Sequence, residues 1–170
     1  MSRKTEEIQV HLKYKELEQQ FSAEPQEAWL LIQQFFKDFI PSFEIAQKLW
    51  LSIDLQQLAN DLKGIVAFSI DGASLLVSKN KLTDNETLSI WLAAYYLGHK
   101  LGMVSSDSLS KDELQMKLGK SGKITSTRLG ELSKNGVALK TTDEKFRITT
   151  YGVVQTQKEV IPRIKSKIKA

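Results

Sequence analysis

The sequence predicts an α+β protein, with an N-terminal α+β domain of β-hairpins and a long spine helix, followed by two short helices and a further hairpin. Three observations carry that prediction. Apolar and polar residues alternate from Ile8 to Tyr14 and flank an Asp71-Gly72 turn, the pattern of half-buried strands. Two boxes with Glu three residues after Thr83 and after Ser110 mark helix starts. Between Leu88 and Leu101 apolar residues fill nearly the whole circumference of a helix, as expected of an element covered on more than one side.

The elements follow in order. After Tyr14 a short polar break leads to Leu17 and Phe21, which continue the even spacing, so residues 8–21 form a hairpin with one buried face. Pro25 starts a helix whose Ala28, Leu31, Ile32, Phe35, Phe36 and Phe39 share a stripe, broadened by Trp29 and Leu30. Pro41 ends it, and residues 42–53 fit a short helix or irregular chain equally well. Asp54 caps a short helix through Leu55, Leu58 and Leu62 that Gly64 stops. Residues 65–70 and 73–77 pair across Asp71-Gly72 as the central residues of a tight primed turn. The spine helix runs from Asp84 to Leu101, either central to a core or shared with a partner subunit, so a homodimer is expected. Beyond it, Leu109, Leu114 and Leu118 fit a short helix ending at Gly119, and a four-residue break precedes a second helix ending at Asn135-Gly136. Val137–Thr141 and Lys145–Thr149 make a hairpin around Thr142-Asp143-Glu144. Thr149 or Thr150 caps a final helix, interrupted near Pro162.

Composition narrows the class. Of the 170 residues 41% are hydrophobic, too many for a disordered chain and enough for one core or two small ones. The expected division is 1–82, a dimerisation or sensing domain, and 83–170, the spine helix with the functional module. Cysteine is absent, which removes disulfides, thiolate zinc sites and cysteine nucleophiles and suits a reducing interior. No apolar run approaches the roughly 20 residues that cross a bilayer, and residues 1–7 lead into no signal segment, so a cytoplasmic protein without membrane partners is expected. Residues 1–116 carry 11 Lys/Arg and 16 Asp/Glu, a balance of −5, whereas residues 117–170 carry 13 and 4, a balance of +9. A basic module of this kind attracts a polyanion through counterion release.

Two short helices around a tight turn, the second polar and basic on its free face, match what enters the roughly 12 Å major groove of DNA. The helix Lys111–Leu118, the run Ser126-Thr-Arg-Leu-Gly-Glu-Leu132 with Asn135-Gly-Val137, and the ending Phe146-Arg-Ile-Thr-Thr-Tyr-Gly152 resemble the winged helix-turn-helix transcriptional regulators of archaea and bacteria over roughly 45 residues. The resemblance implies double-stranded DNA as the partner and transcriptional regulation as the role. It implies that Lys123, Ile124 and Thr127 reach base edges. Lys120, Ser121, Ser126, Arg128 and Lys134 would hold phosphates or pack at the turn, and Lys145 and Arg147 would touch the backbone or minor groove from the wing. With no Arg, Asn or Gln for bidentate readout among the base-reading residues, modest sequence specificity is expected. In two places the chain departs from the pattern. Thr125 stands where an apolar core residue is usual and Ile124 where a polar one is, which implies a one-residue shift or an isoleucine facing a thymine methyl. Gly130 inside the helix costs about 1 kcal/mol relative to alanine, with close approach of a neighbouring element as its compensation.

Other functions have weaker support. A winged helix can also serve as a protein-protein interaction module without DNA. Gly119-Lys-Ser and Gly122-Lys-Ile-Thr superficially resemble a phosphate loop, but the glycine needed five positions earlier is Leu114 or Lys117. His11 alternates away from the apolar set and His99 falls on the apolar helix; no nucleophile-base set or metal spacing accompanies them, so neither enzyme activity, cofactor nor metal is expected. Asp54, Asp61, Asp71 and Asp84 are spread over caps and turns. The tail Arg163–Lys169 either extends a DNA footprint or is a solvated terminus.

Overall fold

The alternation at the N-terminus does build a hairpin. Strands β1 (Ile8–Tyr14) and β2 (Leu17–Ala23) pair antiparallel with Tyr14 opposite Leu17, across a two-residue turn in which Lys15 takes a φ of +56°. Its apolar face is only half covered, because Val10, Leu12, Tyr14 and Phe21 are partly exposed and Ile8 and Leu17 more so. Helix α1 (Pro25–Phe39) packs on the hairpin through Ala28 and Phe35, while Trp29 (59% exposed) and Leu30 (66%) point away. Among the described residues, the part of the apolar stripe broadened by Trp29 and Leu30 is therefore left uncovered. The computed structural model describes residues 7–39 and 51–169, so the expected stop at Pro41, the segment 42–50 and residues 1–6 lie outside the described residues.

The chain groups into two units, Met1–Trp50 and Leu51–Ala170. The sequence had suggested a division at 82/83; Leu58, Leu62, Ile65 and Val66 instead share one core with Leu88, Leu92 and the C-terminal elements. Helix α2 (Leu55–Leu62) is capped by Asp54, whose carboxylate accepts from the Gln57 N–H at 3.0 Å. Strands β3 (Val66–Ser69) and β4 (Gly72–Leu75) pair with Ser69 opposite Gly72, so the turn residues are Ile70 and Asp71, one position earlier than expected. The reason is the turn type. Only Gly72 has positive φ (+103°), the mark of a turn closed by a left-handed glycine, whereas a primed Asp-Gly turn needs it at both central residues.

Helix α3 (Asp84–Lys100) is the centre of this unit, with eleven buried residues from Glu86 to Gly98. It packs against α2, β4 and the C-terminal elements. Both of its apolar faces are thus occupied by its own chain, and the observation from which a homodimer was expected does not point to one. Strand β5 (Ser108–Leu109) follows, then helices α4 (Lys111–Leu118) and α5 (Gly122–Lys134) and strands β6 (Ala138–Lys140) and β7 (Phe146–Ile148), in an antiparallel sheet of order β5-β7-β6. Leu109, expected in the helix, is a strand residue opposite Phe146, because the Ser110 cap starts α4 after it. Among the described residues no helix is long and apolar enough to cross a membrane.

Thr149 caps the last helical run, accepting from the Gly152 N–H at 2.8 Å. The run comprises α6 (Thr150–Gln155), one π-helical turn (Thr156–Val160) and α7 (Ile161–Lys169). Pro162 neither breaks nor ends it. A proline ring collides with the carbonyl four residues back, and the wider π turn immediately before it relieves that clash. The last helix is anchored along one face by Ile161 and Ile164, fully buried and one helical turn apart, while Arg163, Ser166 and Ile168 of the tail are exposed.

Both capping boxes form, each Glu side chain accepting the backbone N–H of its Thr83 or Ser110 cap. Burial opposes the charge of Glu86. The Lys167 ammonium, 2.9 Å away, and the Thr83 N–H outweigh it and hold its pKa below the ordinary 4.5. The Ser110 N–H and hydroxyl do the same for Glu113, against a smaller burial effect. A depressed carboxylate pKa contributes stability that is complete above the unfolded value and lost as pH falls through the folded one. Thermal melts followed by circular dichroism are accordingly expected to show Tm dropping below about pH 4.5, with Glu86→Gln flattening that drop. An unchanged acid limb in Glu86→Gln would remove Glu86 as its source.

Candidate nucleic-acid interface

Helices α4 and α5 are joined by three residues, Gly119-Lys120-Ser121. Gly119 ends α4 in the left-handed region (φ +72°), which turns the chain sharply enough for Ser121 to cap α5. The Ser121 hydroxyl accepts from the Ile124 N–H at 3.4 Å, so this residue serves the turn.

Thr125, Leu129 and Leu132 are the buried face of α5. Thr125 is completely enclosed, its hydroxyl donating to the Ser121 carbonyl at 3.0 Å, and Ile124 is 39% exposed beside the free face. There is no one-residue shift: an intrahelical hydrogen bond lets threonine occupy an apolar position. Opposite the buried face, at intervals of three and four residues, lie Lys123, Thr127, Gly130 and Lys134, all exposed. At 1.5 Å per residue the two lysines are about 16 Å apart along the helix. The Thr127 hydroxyl is spent on the Lys123 carbonyl at 3.0 Å.

Gly130 stands in the middle of this stripe. A Cβ there would meet nothing within 4 Å, so no neighbouring element compensates for its helix penalty, contrary to expectation. Gly130→Ala is expected to raise unfolding free energy by up to about 1 kcal/mol in urea titrations. A loss of stability would show that the site is not open.

The cations divide into two groups. Arg128 turns back to Glu131 (2.9 Å) and to Asp84 of α3 (3.5 Å), while Glu131 also accepts from Asn85 at 2.9 Å. The hydrogen bonds and charge of Glu131, then those of Asp84, raise the Arg128 pKa, and the Asn85 and Arg128 bonds lower that of Glu131. Arg147 faces Asp107 at 3.8 Å, Lys140 pairs with Glu144, Lys165 approaches Asp61 at 3.9 Å and Lys167 holds Glu86. Lys117 lies over the Trp91 ring, 4.1 Å from its centroid. By contrast Lys120, Lys123 and Lys134 have no carboxylate partner among the described residues. Much of the basic balance of residues 117–170 is cancelled in space by acids from the preceding segment.

Lys79 joins the free group from outside the basic segment. The 3₁₀ turn Lys79–Lys81 brings its ammonium to within 3.6 Å of where a Gly119 side chain would begin, and it shares a surface hollow with Lys120. No local signal in the sequence marks Lys79, which belongs to a connector. On its other side α5 and the β6–β7 hairpin enclose an open groove of about 800 Å³, with Ser126, Gly130 and Ser133 on the helix and Lys140 and Lys145 on the hairpin. Lys145 is half-buried, its backbone N–H bonded to Thr141. Asp112, Asp143 and Glu144 line the same groove, so its charge is mixed.

His11 is bonded to Glu18 at 2.6 Å on the exposed hairpin, and His99 to the Val104 carbonyl at 3.4 Å. Among the described residues no group of three or more His, Cys, Asp or Glu could hold a metal ion. No protein-family model, curated protein or solved structure matches this chain.

Proposed function

We propose that residues 84–169 form a winged helix-turn-helix that binds double-stranded DNA, as in a transcriptional regulator, with α5 in the major groove and the β6–β7 hairpin as the wing. The observation that carries this reading is the free face of α5. It is convex and polar, and it ends in two unpaired lysines, with Lys120 and Lys79 gathered at its N-terminus. The unsatisfied N–H groups of a helix N-terminus and nearby ammonium groups both favour phosphate. In this reading Ile124 faces base edges, and Lys123 and Lys134, at the two ends of the face, each meet a phosphate. Arg128, engaged by Asp84 and Glu131, acts here as a positioning residue that fastens α5 to α3.

Fluorescence anisotropy with a labelled duplex of about 20 base pairs tests the reading. Binding should weaken linearly in log-log form as salt rises, and Lys123→Ala should weaken it similarly on unrelated sequences. If the protein at micromolar concentration leaves the duplex free at low salt, the DNA reading fails and a protein-binding module takes its place.

A further inference from the structure

We infer that the 3₁₀ turn Lys79–Lys81, together with Lys120, grips the phosphates of one strand of a DNA duplex, on the wall of the major groove opposite the one that the β6–β7 hairpin meets. The inference rests on the DNA reading and adds to it a contact from outside the two-helix motif. A helix with its side chains is about 10–12 Å across and the groove about 12 Å wide, so a helix seated there has a phosphate strand along each flank. What stands on the two flanks of α5 decides how each strand is held.

The flanks differ in charge. On the hairpin side, Lys140 and Lys145 share their groove with Asp143 and Glu144. On the other side, Arg128 and Glu131 of α5 reach Asp84 and Asn85 at the start of α3, and the connector that leads into α3 brings Lys79 into one hollow with Lys120. Asp84, the carboxylate lining that hollow, is held by Arg128 at 3.5 Å. Neither Lys79 nor Lys120 has a carboxylate partner among the described residues. Ammonium groups gathered without an acid repel one another, and a polyanion threaded past them reverses the sign of that interaction.

The turn is also fastened at both ends. Val77 before it is buried, and Leu82 after it packs on the core. The Lys81 N–H donates to the Ser78 carbonyl and the Leu82 N–H to the Lys79 carbonyl, each at 3.0 Å, while the Lys81 ammonium donates to the Lys167 carbonyl of α7 at 3.0 Å. Lys79, Asn80 and Lys81 themselves are exposed. A fixed backbone therefore presents these cations, which lowers the ordering cost of a contact.

The chain has no cysteine, so one can be introduced and labelled alone. Asn80→Cys carrying a benzophenone should crosslink a duplex of about 20 base pairs on irradiation at low salt. The same label at Lys100→Cys, exposed at the far end of α3 and about 24 Å along the helix from Asp84, should not. In anisotropy titrations Lys79→Ala should lower the slope of log affinity against log salt by about 0.9, so that over a fourfold rise in salt it loses about 3.5-fold less affinity than the unsubstituted protein, whereas Lys100→Ala should leave the slope unchanged. A duplex that binds Lys79→Ala with an unchanged slope, or that crosslinks no better from position 80 than from position 100, overturns this inference and leaves the DNA reading standing. A duplex left free by the unsubstituted protein overturns both.

Discussion

Gly152→Ala is expected to destabilise the protein by about 3 kcal/mol, enough to leave a marginal domain partly unfolded at room temperature. Gly152 lies in the first turn of α6 and is buried. An added Cβ would collide with the backbone carbonyl oxygen of Val137 and stand 2.8 Å from both the Val137 carbonyl carbon and Ile148 Cγ1. The strand end cannot yield cheaply. The same Val137 carbonyl accepts the Thr149 N–H at 3.0 Å, and the Thr149 hydroxyl caps Gly152 itself. Moving Val137 therefore breaks the helix cap and disturbs the base of the β6–β7 hairpin together. Gly98 provides the contrast, because its Cβ would meet Phe68 Cε1 at 2.6 Å and Val104 Cγ2 at 3.1 Å, both on side chains that can rotate. Urea unfolding should rank Gly152→Ala well below Gly98→Ala. Near-native stability of Gly152→Ala would contradict the backbone-to-backbone seating of α6.

The second large effect concerns binding. Removing Lys120, Lys123 and Lys134 together should lower the slope of log affinity against log salt by roughly 2.7, at 0.9 per phosphate contact. Over a fourfold rise in salt the unsubstituted protein would then lose about 40-fold more affinity than the triple-alanine variant. All three side chains are exposed and free of carboxylate partners among the described residues. Stability should accordingly stay within a fraction of a kcal/mol, about the ordinary range for surface substitutions. Arg128→Ala is the informative comparison. Its guanidinium is bound to Glu131 and Asp84, so its removal should leave the salt slope nearly unchanged. Equal slopes for the unsubstituted and triple-alanine proteins would detach these lysines from any phosphate.

Short-range patterns were legible in the chain because their causes are local. A side chain that caps its own helix needs only the residues three positions on, and Asp54, Thr83 and Ser110 cap as their neighbours dictate, as does Thr149 of the two candidates there, whereas the Ser121 cap went unread. Strand alternation in the first hairpin is likewise visible in the residues themselves. The turn at Ile70-Asp71 was misplaced by one residue because Asp-Gly fits two turn types, and register between the strands selects one. The buried face of α5 followed from helical spacing, but the openness around Gly130 depends on what stands opposite it.

By itself, the amino-acid order determined the mixed helix-and-hairpin character and the capped helix starts, since these arise from periodicity and caps within a few residues, whereas strand β5, the π turn and the register of α5 were settled by packing. Only the tertiary structure decided which charges remain available. Coulomb attraction acts through space, so Asp84, Asp107, Asp61 and Glu86 reach across the fold to engage Arg128, Arg147, Lys165 and Lys167. A linear count of basic residues cannot register such pairing. The lysines it leaves uncovered around α5, joined by Lys79 from a distant connector, are those that can meet a polyanion.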